Sequence, residues 1–236
     1  MYELLQIKEK IISDKEYRTW MQEISNVEKE FAISSEFNNK VALDHGIHHM
    51  DRVANNLYNL LKEYNCDKHT CFLGYITGLV HDIGMIKGKK GHAENGSNLA
   101  KVFLKKFDFI NAEDILKITN AIKNHGDGGK NPDELTAFLA ISDKADMCKA
   151  RSLGNLSPIQ FIDEYKLKLE KDVLELRYII SNNKGKEGLY IIPKSIDIPN
   201  KLGSELGLKV EFYINGKIED FKDRENFKGR IYIRKE

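Results

Sequence analysis

His49, the adjacent pair His81-Asp82, and Asp143 are the residues of this sequence best suited to chemistry. Neutral imidazole and ionised carboxylate are natural ligands of divalent first-row metals, whereas either group buried without a partner is costly. Taken singly, a histidine on a helix is more often structural or solvated than a ligand. The series as a whole changes that expectation, because each member stands where a helix face would turn inward. Two more histidines lie between the His-Asp pair and the last Asp: His92 in Gly91-His92-Ala93-Glu94-Asn95-Gly96, and His125 in Ile122-Lys123-Asn124-His125-Gly126.

The elements that must position these groups can be read from hydrophobic periodicity. Over 15–32, Tyr17, Trp20, Met21, Ile24, Val27 and Phe31 recur at helical spacing, and Met50, Val53, Ala54, Leu57, Leu60, Leu61 and Tyr64 make a second stripe with His49 in its first turn. Residues 70–80 are apolar on nearly all sides, which predicts a central buried helix delivering His81 and Asp82 before Gly84 breaks it. His92 opens the next helical stretch and His125 ends the one after, and a helix starting near Pro132 carries Asp143 and Asp146 toward its far end. Ser157-Pro158-Ile159-Gln160 reads as a capping-box start, so a further helix is expected to about Val173. Beyond it the period shortens to two at Leu174, Leu176, Tyr178 and Ile180. Further strands are expected over 189–192 and 231–234, with a short helix between Pro199 and Gly207. Residues 209–214 and 217–221 are expected to pair across Asn215-Gly216, which suits a type I′ turn. The expected fold is mainly α, a helical bundle over 1–172 with a small α+β domain over 173–236.

Composition narrows the function classes. Against 37 basic residues stand 36 acidic ones, a formal charge of +1 that gives no one-sided field for nucleic acid. Cys66, Cys71 and Cys148 form no C-x-x-C and are odd in number, which argues against a disulfide framework and fits a reducing cytoplasm. The first residues lack a signal-peptide core and no stretch approaches the roughly 20 apolar residues of a spanning helix, so neither export nor membrane insertion is expected.

The order His, His-Asp, Asp resembles that of the HD-domain superfamily of metal-dependent phosphohydrolases. The flanks carry the likeness too: His49-Met50-Asp51-Arg52-Val53, then Gly78-Leu79-Val80-His81-Asp82-Ile83-Gly84, then Ile141-Ser142-Asp143-Lys144-Ala145-Asp146. The resemblance implies an HD-type helical bundle in which His49, His81, Asp82 and Asp143 hold one divalent ion. Asp82 would bridge to a second ion on His92 and His125, with Fe or Mn preferred and Mg, Co, Ni and Zn compatible. It implies catalytic roles for Asp82 and His81, with a metal-bound hydroxide attacking a phosphate ester or anhydride of a nucleotide-like substrate. Lys144 and Arg151 are the expected substrate-binding cations, with Lys149, Lys87 and Lys89 as further candidates. Met85 stands where many relatives have Lys, and Asn124 replaces one of a histidine pair found in the family's cyclic-dinucleotide phosphodiesterases, which disfavours that substrate. His45 reads as a capping or loop residue, His48 as pointing away, His69 as a surface residue, and Asp146 as either a support for a ligand histidine or a surface group. A metal-binding regulatory or sensing module is the competing reading, a buried polar network the plain one, and a homo-oligomer is left open.

Overall fold

Stripes of apolar residues at three- and four-residue spacing fold as helices because that period lines one helical face. In the computed structural model, which describes residues 2–37, 42–153 and 157–222, the chain is mainly α-helical with a small C-terminal α+β part. Two compact units divide it: Met1–Val27 with His45–Asp143, and Glu28–Asp44 with Lys144–Glu236. Among the described residues no helix is long and apolar enough to cross a membrane.

The first unit contains α1 (Tyr2–Ser13), the beginning of α2 (Lys15–Phe37), α3 (Ile47–Glu63), α4 (Lys68–Val80), α5 (His92–Phe103), α6 (Ala112–Asn124) and all but the last two residues of α7 (Glu134–Ala145). Its centre is α4, started by the Asp67 side chain accepting from the Thr70 N–H and buried from Leu73 through Val80. Against it α3 lays Val53, Ala54, Leu57, Leu60 and Leu61, all buried. Each such aliphatic side chain, fully removed from water, contributes about 1.5–3 kcal/mol relative to exposure. The two helices approach closely at Gly78, where a Cβ would lie only 2.3 Å from the Ala54 Cα. Tyr17 of α2 is wholly buried and donates its hydroxyl to the Leu79 carbonyl at 2.8 Å, and Trp20 meets Phe103 edge-on at 5.2 Å.

The second unit holds two sheets. β1 (Ala42–Leu43) pairs antiparallel with β2 (Ser152–Leu153). The larger sheet has the order β3-β4-β5-β6, from β3 (Ile162–Glu170), β4 (Val173–Ile180), β5 (Lys209–Ile214) and β6 (Lys217–Glu219). β3 and β4 are antiparallel, as are β5 and β6, while β4 and β5 run parallel. A parallel pair needs a crossover, and α8 (Asn183–Ile191) and α9 (Lys194–Glu205) provide it. Asn215 and Gly216 both take positive φ, 48° and 79°, as the expected hairpin turn requires.

Three expectations are corrected here. The helix expected from Pro158 to Val173 is a single 3-10 turn, Pro158–Phe161, followed by β3. Ser157 does cap that turn, but Tyr165, Leu167 and Leu169 alternate with Lys166, Lys168 and Glu170, and the two-residue period prevails. The strand expected over 189–192 is instead the end of α8, whose Asn182 side chain caps it at the Lys184 N–H. Pro199 does not begin the next helix but sits inside α9, which starts at Lys194. The strand expected over 231–234 lies outside the described residues.

Candidate metal centre

Each candidate ligand belongs to the first unit and stands at a helix end or near one. His49 is in the first turn of α3; His81 is the residue after α4; His92 opens α5; His125 follows α6; and Asp143 lies in the last turn of α7. Asp82, directly after His81, has φ −105° and ψ 11°, in the sparsely allowed bridge region between helix and strand. That conformation turns the chain out of α4 just as its side chain must face inward. Gly84 then lets the chain pass against α5, for a Cβ there would lie 2.0 Å from the His92 carbonyl oxygen. The His81-Asp82 segment and His92 are thereby brought side by side.

Two sets of ligand atoms result. In one, His49, His81, Asp82 and Asp143 each offer an atom within 4.8 Å of the others; in the other, Asp82, His92 and His125 do so. The Asp82 carboxylate belongs to both, one oxygen to each. Its Oδ2 lies 3.5 Å from His49 Nε2 and 3.2 Å from His81 Nε2. Its Oδ1 lies 3.6 Å from His92 Nε2 and 3.4 Å from His125 Nε2. Asp143 Oδ1 is 3.3 Å from His49 Nε2, and the Nε2 atoms of His92 and His125 face each other at 3.2 Å. Burial is nearly complete: the side chains of His49, His81 and His125 are 0% exposed, those of Asp82 and Asp143 1% and 3%, and only His92, at 20%, meets solvent appreciably.

The outer ring nitrogens explain the orientation. His81 Nδ1 is 2.9 Å from the Gly78 carbonyl, His92 Nδ1 2.8 Å from Lys89, and His125 Nδ1 2.6 Å from Ile122. A carbonyl can only accept, so in each of these rings Nδ1 carries the proton and donates. The neutral tautomer then leaves Nε2 as a lone pair aimed at the centre. His81 Nε2 and Asp82 Oδ1 are buried with no hydrogen-bond partner. Two imidazole lone pairs facing each other at 3.2 Å, beside an unpartnered carboxylate oxygen, form an acceptor-only cavity that calls for a cation. Donors about 2.0–2.2 Å from a common ion sit roughly 3.0–3.5 Å apart at right or tetrahedral angles, close to the spacings found. The residues fit divalent metal.

Electrostatics agree. Burial works to raise the Asp82 carboxyl, but positive charge on the His81 side first, and then on those of His125 and His49, outweighs it and holds the group well below the ordinary carboxylate range; with these rings neutral, that charge is what a bound cation would supply. Asp82 is therefore ionised, the form in which it ligates.

The other expected residues have surroundings of their own. His48 is exposed, and His45 is half-buried with its ring 5.8 Å from that of His49, edge to face. The α3 cap position belongs to Gly46, not His45. His69 is not a solitary surface group: its Nε2 lies 2.7 Å from Oδ1 of the buried Asp114. In the second unit, Lys144 is half-buried, and Lys149 pairs with Asp163 at 3.0 Å. Arg151 is buried there, donating to the backbone carbonyls of Asp44 and Asp146 at 3.1 and 3.2 Å. Asp146 is wholly buried rather than a surface group. Sequence reasoning missed the His69–Asp114 pair, which 45 residues of separation conceal. It also missed the carbonyls that orient the rings; their signal is positional, each lying three residues before its histidine.

Residues 46–150 match the HD domain family. Among solved structures the chain is similar to a predicted HD superfamily hydrolase from an uncultured Thermotogales bacterium, at 20% identity over 60% of this chain and 74% of that one, with a TM-score of 0.40. No curated protein matches it.

Proposed function

The protein carries a domain of the HD superfamily of metal-dependent hydrolases over residues 46–150, and on that premise we propose that it is a binuclear phosphohydrolase acting on a phosphate ester or anhydride of a nucleotide-like molecule. The observation that carries the reading is the division of Asp82 between two ligand sets, with Oδ2 turned to His49 and His81 and Oδ1 to His92 and His125.

His49, His81, Asp82 and Asp143 would hold one divalent ion and Asp82, His92 and His125 the other; the mixed nitrogen and oxygen donors are compatible with Mn, Fe, Co, Ni or Zn, with Fe or Mn preferred for a two-ion site. When bound, such a pair supplies Lewis-acid polarisation of a phosphoryl oxygen and a water acidic enough to ionise near neutral pH. The chain's own part is to fix the donors. Asp82 keeps the two sets in register, and the carbonyls of Gly78, Lys89 and Ile122 hold His81, His92 and His125 in the ligating tautomer before any metal arrives. His92 is the one ligand with appreciable exposure, so its edge is the proposed approach for substrate.

The test is to load purified protein with Mn²⁺ or Fe²⁺, count bound metal, and screen a nucleotide panel and a chromogenic phosphodiester on the same sample, with Asp82→Ala as control. Two equivalents of metal and turnover abolished by Asp82→Ala are expected. Metal bound without turnover of any phosphate compound would move the protein to the regulatory class, and failure to bind metal would remove the reading altogether.

A further inference from the structure

At the end of α4 remote from the metal centre lies a groove of about 1140 Å³, bounded by α1, the first turns of α4, and Phe109. It is large enough for a small-molecule ligand, and its walls mix aromatic with cationic groups as such sites do. Phe72 and Phe109 are both half-buried, their rings 6.4 Å apart at 82°. Lys10 holds its ammonium 5.3 Å from the centre of the Phe109 ring, and His69 stacks on Phe72 at 6.2 Å and 19°. Among the charged lining residues, Lys10 and Lys68 stand against Glu9 alone. Neither Lys10 nor Lys68 is in an ion pair among the described residues, so their charge faces the groove or solvent uncompensated.

His69 is fixed from behind. Its Nε2 is 2.7 Å from the carboxylate of Asp114, whose side chain is only 4% exposed, while that of His69 is 53% exposed. A buried carboxylate spent on orienting a half-exposed imidazole at the rim of a groove is costly unless the ring is needed in that pose. With Nε2 committed, Nδ1 remains for a ligand. From these groups we infer that the groove is a second binding site, separate from the metal centre, for a planar aromatic anion of mononucleotide size. The ring of the ligand lies against Phe72 and Phe109, as bases stack on aromatic side chains. Its anionic group meets Lys10 and Lys68, while His69, with Nε2 donating to Asp114, presents Nδ1 as an acceptor to a ligand N–H or O–H. Neither the groove nor its charge depends on the hydrolytic reading.

Both helices that carry His69 and Asp114 also lead to the metal centre. His69 is in the first turn of α4 and Asp114 in the first turn of α6, while His81-Asp82 and His125 follow the other ends of the same two helices. Twelve residues of helix put His69 on the order of 18 Å from His81.

Binding is measured by calorimetry in excess EDTA, so that the metal centre holds no phosphate, with AMP, adenosine and inorganic phosphate as three separate probes. AMP is expected to bind more tightly than either fragment by at least about tenfold. Lys10→Glu/Lys68→Glu, changes at exposed positions, should weaken AMP by at least about tenfold and leave the ligand-free melting temperature unchanged, and Phe109→Ala should weaken AMP and adenosine alike. AMP binding unaffected by the charge reversal, no AMP binding at all, or phosphate alone binding as tightly as AMP would each overturn the inference. Because no turnover is read, failure here leaves the metal-centre reading standing, and the reverse holds too.

Discussion

Replacing Gly78 with alanine tests whether the α3–α4 approach sets the geometry of the first ligand set. The added Cβ would lie 2.3 Å from the Ala54 Cα, 2.6 Å from its N and 2.8 Å from its Cβ. Unstrained carbon contacts lie at about 3.5–4.0 Å, so the helices must part locally by roughly 1 Å. Overpacking of this kind costs about 1–3 kcal/mol, and a clash with backbone belongs at the upper end because no rotamer relieves it. Alanine returns about 1 kcal/mol of helix propensity. The net, about 2 kcal/mol, lowers the melting temperature of a chain this size by roughly 4–8 °C. Ala54 is five residues after His49 and Gly78 three before His81, so the parting also draws His49 from Asp82, now 3.5 Å apart. The deficit should accordingly widen when Mn²⁺ is added, because bound metal stabilises the native state in proportion to RT ln(1 + [L]/Kd). Calorimetric melts with and without Mn²⁺ read both effects. Ala54→Gly in the same chain removes the Cβ contact and leaves the Cα and N contacts, so it should not restore stability. Wild-type melting of Gly78→Ala, or full rescue by Ala54→Gly, would refute the argument.

Two further outcomes follow from groups away from the metal. Asp14 caps α2, its Oδ1 accepting from the Glu16 N–H at 2.8 Å and the Tyr17 N–H at 3.3 Å, with Lys106 Nζ at 3.3 Å, so Asp14→Ala should cost about 1 kcal/mol. Burial works to raise the Asp14 carboxyl, but those amides and Lys106 outweigh it and lower it. Its contribution is thus full above the unfolded carboxylate value and disappears as pH falls through the lower folded one; melts across the acid range should show the mutant's deficit shrinking, and a deficit constant to the lowest pH contradicts this. Tyr17→Phe deletes the bond to the Leu79 carbonyl, at about 1 kcal/mol or roughly 2–4 °C, and an unchanged melting temperature would show that bond to be idle.

Most of the helical unit was legible in the sequence because its stripes are long. Met50 through Leu61, for example, are held to one face by six apolar residues, more than any local preference could override. The C-terminal part was less so. Between Ser157 and Glu170 two signals compete: the cap-Pro start, which is local, and the alternation Tyr165, Leu167, Leu169, which matters only once β4 is alongside. The α8 segment reads as a strand from Leu189-Tyr190-Ile191-Ile192 for the same reason, as β-favouring residues serve a buried helix end equally well. At the centre, residue types and order were visible from the start. What no spacing rule shows is which carboxylate oxygen faces which imidazole, since that depends on the backbone of Asp82 and on two glycines that admit neighbouring helices.

The position of Asp82 follows from what its two oxygens must do. A carboxylate at a helix interior projects along one face and can serve ligands on one side only. Placed two residues beyond a buried helix, in a bridge-region conformation, it stands where the chain turns, with α3 on one hand and α5 and α6 on the other. The cost of the arrangement is an unpartnered Oδ1 and an unpartnered His81 Nε2 in a dry interior, a penalty of about 1–3 kcal/mol for each atom and more where it is charged. Cations on both sides would remove that penalty at both atoms at once, whereas a cation in the His49 set alone would leave Oδ1 facing the lone pairs of His92 and His125. This is the reason behind the proposal of two ions rather than one. Removal of His125 by alanine, which spares the first set, should halve the bound metal rather than abolish it; retention of both equivalents, or loss of both, would show that Asp82 does not divide its oxygens in this way.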